Sequence, residues 1–246
     1  MMGLSRDLDE KDSSMAELPP QEFVRFLQTA LPAVAQPSVL EIGGGASTNV
    51  ELPGARYTVV DNSKEALARC AYADEAVLAD AERFDPQPGG YDVVVFWNVL
   101  EHLANPDEAL RRAAAGVRSN GLLIARGPEL RSLKALITRL TPHRLHVLFY
   151  RKVLGSPEAG SPGRSPFPVH HSSFATPEAI MATLLPLGFS VAHDQRYVGD
   201  QLQLLRSYST LAYFFYQLAT GLLRIATGGR WGGPSTDFVM VFRKAR

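Results

Sequence analysis

Short apolar runs alternate with helix-compatible stretches along most of the chain. Helical patterns over 62–72 and 105–118 separate several of the runs. Strands that are almost continuously apolar and separated by helices are typical of a parallel sheet covered on both faces. The pattern predicts an α/β fold with a doubly wound, seven-stranded, mostly parallel sheet. The predicted strands are SVLEI (38–42), RYTVVD (56–61), EAVLAD (75–80), YDVVVFWN (91–98), NGLLIARG (120–127), GFSVAHDQRYV (188–198) and TDFVMVFRKA (236–245).

The start of the chain is polar, unlike the rest of the sequence. Residues 1–20 are rich in charge and end in Pro19-Pro20, which indicates a flexible N-terminal tail. From Gln21 onward, Phe23, Phe26 and Leu27 recur at helical spacing and predict an amphipathic helix. We expect residues 21–246 to form a single domain.

Two segments interrupt the alternation and are expected to cap the domain. Residues 156–171 (SPEAGSPGRSPFPVHH) are rich in Pro, Gly and Ser and predict a loop, followed by a helix that begins near Pro177. Residues 202–229 predict an apolar helical insertion, which Gln217, Thr220 and Arg224 make too polar for a transmembrane helix. Its apolar face consists of Leu211, Phe214, Phe215, Leu218, Leu222 and Ile225.

An apolar face of this size is expected to be shielded from water, and the sequence leaves three alternatives for what shields it. It could wall the pocket of a hydrophobic acceptor, lie at a membrane surface that holds a lipid-linked substrate, or form a homodimer interface.

Charge and cysteine content narrow the function classes. The chain has 25 basic and 25 acidic residues, so it lacks the overall positive field that binds nucleic acid, and no nucleic-acid partner is expected. Its single cysteine, Cys70, cannot form an internal disulfide, and the first twenty residues lack the apolar core of a signal peptide. These features favour a cytoplasmic protein, with peripheral membrane contact through 202–229 as the alternative.

The sharpest local motif is VLEIGGGAST (39–48), in which a strand runs into three glycines. Without Cβ atoms, Gly43, Gly44 and Gly45 allow unusual φ values and a close approach of a ligand to the backbone. Eighteen residues after Gly43, the strand RYTVVD ends in Asp61, which can accept both hydrogen bonds of a ribose diol. The spacing predicts a nucleoside-type cofactor, and it also fits a dinucleotide enzyme.

The motif order VLEIGGG, TVVDNS, VLADAERF, YDVVVFWNVLEHL and NGLLI closely resembles the class I S-adenosylmethionine-dependent methyltransferases over about 38–127. The resemblance implies S-adenosyl-L-methionine as cofactor, with its methionine part on the glycine turn, its ribose at the end of the second strand, its adenine after the third, and its methyl-bearing sulfur near the end of the fourth. The implied cofactor-binding residues, in chain order, are Glu41, Gly43, Gly44, Gly45, Asp61, Asn62, Asp80, Ala81 and Asn98.

One departure from the family pattern bears on this resemblance. Ser47 stands where the family has its third glycine, which alters the turn without changing the cofactor class. A dinucleotide-binding enzyme fits the sequence less well. Its phosphate-binding fingerprint requires a glycine at the position of Thr48, and that class does not account for the VLEHL segment after the fourth strand.

Glu101 and His102 in the VLEHL segment are adjacent and have no further candidate ligands nearby in the sequence. We therefore expect no metal site here and assign His102 a structural role.

The loop that ends in His170 and His171 supplies the candidate catalytic residues. The segment HSSFATPEAIMATLLPLGF resembles a region that covers the acceptor pocket in many small-molecule methyltransferases, with His171 at the histidine position. A histidine there could take the proton of an acceptor hydroxyl, or it could serve only to enter the helix. We expect methyl transfer to a hydroxyl of a small hydrophobic molecule; the alternatives are a lipid-linked acceptor and a non-catalytic member of the fold.

Overall fold

The computed structural model describes residues 21–31, 34–45, 47–48, 50–152, 155–170 and 175–246. The predicted tail, 1–20, lies outside the described residues. One seven-stranded sheet carries the fold, in the order β3-β2-β1-β4-β5-β7-β6. The strands are β1 (Ser38–Ile42), β2 (Arg56–Asp61), β3 (Glu75–Leu78), β4 (Tyr91–Trp97), β5 (Val117–Pro128), β6 (Phe189–Tyr197) and β7 (Asp237–Lys244).

The sheet is parallel except for β7, which pairs antiparallel with both β5 and β6. The chain runs outward from β1 to β3, then returns to the other side of β1 and continues through β4 and β5. Ligands of doubly wound sheets bind outside the carboxyl ends of the strands at the point where this order reverses, which here lies between β1 and β4. The predicted fold class, α/β with a mostly parallel seven-stranded sheet, is confirmed.

Helices cover both faces of the sheet. The faces pack into two apolar clusters, one holding Leu110 and Ile180 from helices and the other holding Phe23 and Leu27 of the first helix. The helices are α1 (Gln21–Ala30), α2 (Lys64–Leu67), α3 (Pro106–Gly116), α4 (Leu133–Leu140), α5 (His143–Lys152), α6 (Pro177–Leu184), α7 (Asp200–Tyr208) and α8 (Thr210–Ala226), with short 3-10 turns at Leu100–His102 and Leu185–Leu187.

The helix expected over 62–72 is a single turn, which corrects the sequence-based prediction. Ser63 caps α2 by accepting a hydrogen bond from the Ala66 backbone amide at 3.1 Å. The chain then returns to the sheet, where the Asp74 carboxylate accepts a hydrogen bond from the Tyr57 amide at 2.8 Å. Cys70 therefore lies beyond the helix and packs half-buried against the core instead of lying on a helix surface.

The insertion at 202–229 also differs from the single helix that was predicted. Ser209 adopts an extended conformation and separates α7 from α8, and its hydroxyl accepts a hydrogen bond from the Ala212 amide at 3.2 Å. Helices α4 and α5 were not predicted, because their apolar residues largely face outward and give no core-facing periodicity. In the part of the chain that the structure describes, no helix is long and apolar enough to cross a membrane.

Candidate functional site

The glycine turn and the end of β4 meet at the reversal point of the sheet. Gly43 has a φ of +70°, and a Cβ there would lie 2.5 Å from a methyl carbon of Val99, so only glycine fits. Gly45 has a φ of +59°, and a Cβ on it would meet nothing within 4 Å. The backbone is therefore tightly packed on its β4 side at Gly43 and open at Gly45, as a turn that receives a ligand requires.

Glu41 and Tyr72 form the floor of this turn. The Tyr72 hydroxyl donates a hydrogen bond to Glu41 Oε2 at 3.1 Å. A Cβ on Gly44 would lie 2.4 Å from that hydroxyl oxygen and 3.0 Å from Glu41 Cγ. Gly44 therefore has no side chain because the polar pair lies directly against it, although its φ is ordinary. Tyr72 was not identified from the sequence, since nothing in its local pattern links it to a turn 27 residues earlier.

The Glu41 carboxyl group is almost completely buried and titrates far from its ordinary range. Burial raises the pKa of Glu41 from 4.5 to about 7, and hydrogen bonds from Thr48 and Tyr72 lower it by less than burial raises it. Burial and the neighbouring Glu41 raise the pKa of Tyr72, so its hydroxyl remains a donor. A carboxylate that is costly to ionise in isolation is well suited to a ligand that brings its own positive charge.

Asp61 and Asn62 lie at the carboxyl end of β2, beside the glycine turn. The Gly43 amide donates a hydrogen bond to the Val60 carbonyl at 2.6 Å, which joins the turn to the end of β2. Asp61 Oδ1 accepts a hydrogen bond from the Ser63 amide at 2.7 Å, while Oδ2 has no hydrogen-bond partner among the residues described. Asn62 is exposed. Asp61 therefore presents one anchored and one available oxygen, as recognition of a diol needs.

Asp80 and Ala81 follow β3 at the same edge of the sheet. Asp80 is exposed, and its carboxylate accepts a hydrogen bond from the Glu82 amide at 2.9 Å. Ala81 packs against the core cluster. Because β3 is the outermost strand on this side, the predicted adenine end lies farther from the reversal point than the glycine turn does.

Asn98 occupies a strained position directly after β4. Its φ is +55°, a conformation that is uncommon outside glycine. Its amide donates to the Arg126 carbonyl at 3.0 Å, and its side-chain oxygen accepts a hydrogen bond from the Arg126 guanidinium. A strained residue that is fixed by two hydrogen bonds is a recurrent feature of binding sites.

Arg126 is the centre of a buried network that sequence reasoning missed. Only 1% of the residue is exposed, and its guanidinium donates to the Tyr197 hydroxyl at 2.9 Å and to Asp237 Oδ1 at 3.1 Å. Asp237, equally buried, also accepts from Lys134 Nζ at 3.3 Å and from the Thr236 hydroxyl at 2.6 Å. The sequence feature that could have indicated this network is Arg126 itself, a charged residue within the apolar run NGLLIARG.

Glu101 and His102 flank this network on the side of β4. Glu101 is buried, burial raises its pKa, and its Oε2 has no hydrogen-bond partner among the residues described. His102 Nδ1 lies 2.7 Å from the Pro168 carbonyl oxygen, which only accepts, so the proton is on Nδ1. Nε2 then faces Glu101 Oε1 at 3.9 Å. The structure thus places the pair against the loop of 155–170.

Of the two candidate catalytic histidines, the structure describes one. His170 is exposed, and its amide donates a hydrogen bond to the Glu101 carbonyl at 2.9 Å, which brings the loop beside β4. His171 lies outside the described residues. Across the described ranges, no group of three or more His, Cys, Asp or Glu side chains could hold a metal ion.

The comparisons with known proteins agree with this geometry. Residues 15–193 match a family model described as a methyltransferase domain. A SAM-dependent methyltransferase from Archaeoglobus fulgidus is 18% identical with a TM-score of 0.53, and the match covers 98% of this chain and 100% of that one. A SAM-dependent methyltransferase from Methanosarcina mazei is 12% identical, with a TM-score of 0.51 and coverage of 93% and 99%.

The same fold is shared by the cyclase SpnF, at 13% identity and a TM-score of 0.51, over 91% of this chain and 80% of that one. No curated protein matches the chain in sequence. At these identities the solved structures establish the fold, while the family model spans well over half of the sequence. The predicted resemblance is confirmed, S-adenosylmethionine is supported as the cofactor, and the chain belongs to the methyltransferase-domain family.

Proposed function

We propose that this protein transfers a methyl group from S-adenosylmethionine to a hydroxyl oxygen of a small hydrophobic molecule. The observation that carries the proposal is the meeting of two loops at the reversal point of the sheet. The glycine turn after β1 packs against Val99 after β4, and the buried Glu41 lies beneath it. This is where a doubly wound sheet binds its ligand.

The residues present fit the cofactor. Glu41 lies where its charge would pair with the ammonium of the methionine part, and the open backbone at Gly45 admits that part closely. The available Oδ2 of Asp61 suits a ribose hydroxyl, and Asp80 with Ala81 suits the adenine edge. When bound, the cofactor supplies a methyl group already activated by a sulfonium leaving group.

The protein then has to align the acceptor with the methyl group and to exclude water. Asn98 borders the place where the acceptor would meet the methyl group, and the Arg126 network holds its side chain in one orientation. A hydroxyl acceptor must also lose a proton, for which the loop ending in His170 and His171 is the proposed source of the base. His170 is tied to this edge by its hydrogen bond to Glu101.

We also infer that residues 21–246 act as one domain, with the loop and the helical insertion as its cap. A cavity of about 180 Å³ is lined by residues of α4, α5 and the loop of 155–170, which include Thr138, His143 and Pro168. Pro168 also accepts the hydrogen bond of His102, so the cavity adjoins the loop beside β4. This neighbourhood favours an acceptor that enters from the side of the cap.

Transfer of a labelled methyl group from S-adenosylmethionine to a panel of hydrophobic phenols and lipid extracts tests the proposal. We expect label in the organic phase with wild-type protein, and a loss of more than tenfold in Asp61→Ala. Asp194→Ala, which changes an exposed carboxylate on β6, is the matched control and should retain activity.

The alternative is a member of the fold that performs no methyl transfer, since one fold can host different activities and one structural neighbour is described as a [4+2]-cyclase. Binding of S-adenosylhomocysteine without transfer to any acceptor class would favour it.

A further inference from the structure

Helix α8 is oriented with its apolar side away from the protein. Thr220, in its middle, is buried, and Tyr216 lies half-buried against α4, where its hydroxyl contacts the Lys134 backbone. The outward side chains are between 49 and 80% exposed. They are Leu211, Phe214, Phe215, Leu218, Leu222 and Ile225. An ordinary surface helix shows the opposite arrangement, with its apolar side toward the core.

The neighbouring helices also expose large apolar side chains. We call residues 131–152 and 201–232 the helical cap. Unlike the cap elements predicted from the sequence, it leaves out the loop of 155–170 and includes α4 and α5, together with α8 and most of α7. Helices α4 and α8 contact each other, and the Gly232 amide donates to the Arg131 carbonyl at 2.9 Å. Twelve of the eighteen large hydrophobic side chains that the described residues expose belong to the cap. Those outside α8 are Ile137, Leu140, Leu145, Leu148, Phe149 and Tyr208.

The cap is also strongly basic, which the neutral net charge of the chain conceals. Its two segments contain nine arginines and lysines and no acidic residue, so the rest of the chain has 16 basic and 25 acidic residues. Among the described residues, none of the exposed Arg139, Arg144, Lys152, Arg224 and Arg230 forms an ion pair. Their charges are available to an external partner.

We propose that the helical cap docks on a bilayer surface that carries anionic headgroups. Protruding phenylalanine and leucine side chains enter the boundary between headgroups and acyl chains, and the surrounding arginines and lysines attract the negative surface. A second copy of the chain would bring the same positive surface against itself. Nucleic acid would satisfy the charges but would leave the apolar side chains in water.

The position of the cap gives this docking a consequence for the reaction, which rests on the proposed function. The cavity is lined by Arg139 and His143 of the cap and by Pro168 of the loop of 155–170. The Pro168 carbonyl oxygen also accepts the hydrogen bond of His102 beside β4. When the cap is docked, the side of the protein nearest this cavity therefore faces the lipid. The acceptor class that such a geometry serves is an amphiphile whose hydroxyl lies at the membrane surface.

Flotation with vesicles tests the docking. The probes are vesicles of phosphatidylcholine alone and of phosphatidylcholine mixed with phosphatidylglycerol, each at low and high salt. We expect binding to the anionic vesicles at low salt and at least tenfold weaker binding to the neutral vesicles. High salt should weaken binding to the anionic vesicles, because it screens the basic residues.

Two groups of variants separate the apolar and the charged contributions. Phe214→Ser combined with Phe215→Ser, and Arg144→Gln combined with Lys152→Gln, should each reduce anionic-vesicle binding at least tenfold. Leu78→Ser and Arg111→Gln, which change exposed residues outside the cap, are the matched controls and should bind like wild type.

The proposal is overturned if wild-type protein does not float with anionic vesicles, or if the cap variants float as well as the controls. It is also overturned if ultracentrifugation shows a dimer that Phe214→Ser with Phe215→Ser dissociates, or if DNA binds more tightly than the vesicles. S-adenosylhomocysteine affinity, measured on the same preparations, keeps the two proposals apart. Intact affinity without vesicle binding would overturn the docking alone.

Discussion

Glu41 is costly to the folded protein in its charged form, which is the form that the proposed function requires. Because burial raises its pKa to about 7, Glu41 contributes most to stability below pH 4.5, and that contribution is lost as the pH rises through about 7. We expect Glu41→Gln, which is neutral at every pH, to be more stable than wild type at pH 8 by on the order of 3 kcal/mol at most. Urea unfolding from pH 5 to pH 8 measures this difference.

The same substitution should weaken binding of S-adenosylhomocysteine at pH 8, because it removes the charge that we propose to pair with the ammonium group. Glutamine still accepts the hydrogen bond from Tyr72, so packing is preserved. A stability difference that does not change with pH would show that Glu41 titrates normally.

Gly44 allows a different prediction, because a side chain at this position would clash first with the Tyr72 hydroxyl oxygen. Gly44→Ala would place a methyl group 2.4 Å from the Tyr72 hydroxyl oxygen and should displace Tyr72 from Glu41. We expect a loss of about 1–3 kcal/mol in stability, the usual cost of overpacking. Adding Tyr72→Phe removes the closest contact, so the double variant should recover part of the loss in thermal unfolding. Additive effects of the two changes would contradict this packing.

Strands β5 and β7 are joined by a buried ion pair between Arg126 and Asp237. Asp237→Ala would remove the carboxylate that lies 3.1 Å from the buried Arg126 guanidinium, and breaking a buried pair of this kind costs about 3–5 kcal/mol. Asp194→Ala removes an exposed carboxylate 3.9 Å from Arg196 and should cost less than about 1 kcal/mol. Urea denaturation of both variants measures the contrast, and equal losses would show that the buried pair contributes no more to stability than the exposed one.

The strands were the most predictable elements. Runs such as YDVVVFWN are buried on both sides, so their composition alone indicates where they begin and end. Helices α4 and α5 were not predictable in this way, because much of their apolar surface faces outward. The break at Ser209 depends on one extended residue within an otherwise helical pattern.

In the site, the glycine turn and Asp61 could be predicted, because short-range spacing fixes them relative to β1 and β2. The partners Tyr72, Arg126 and Asp237 could not. They come from distant parts of the sequence and meet only when β5 and β7 pair and when the chain returns after α2. Their roles follow from tertiary contacts, which a single sequence does not reveal.

Across the molecule as a whole, the chain divides its charge and its apolar surface between two regions. The sheet and its flanking helices carry the proposed cofactor site, and the helical cap carries nine basic residues without an acidic one. We expect this protein, although neutral overall, to bind a sulfonate cation exchanger at low salt. Arg144→Gln with Lys152→Gln should elute earlier, and elution of wild type in the flow-through would contradict the charge separation.

Binding of S-adenosylmethionine at the turn after β1 underlies the proposed methyl transfer, and calorimetric titration with S-adenosylhomocysteine is its decisive test, with NAD as the control ligand. We predict binding of S-adenosylhomocysteine and none of NAD. Asp61→Ala should weaken the binding by about 1–3 kcal/mol, the cost of losing a hydrogen-bond partner, and Asp61→Asn, which can still accept from the Ser63 amide, by less. Binding of neither ligand, or an affinity that Asp61→Ala leaves unchanged, would contradict this assignment of the turn.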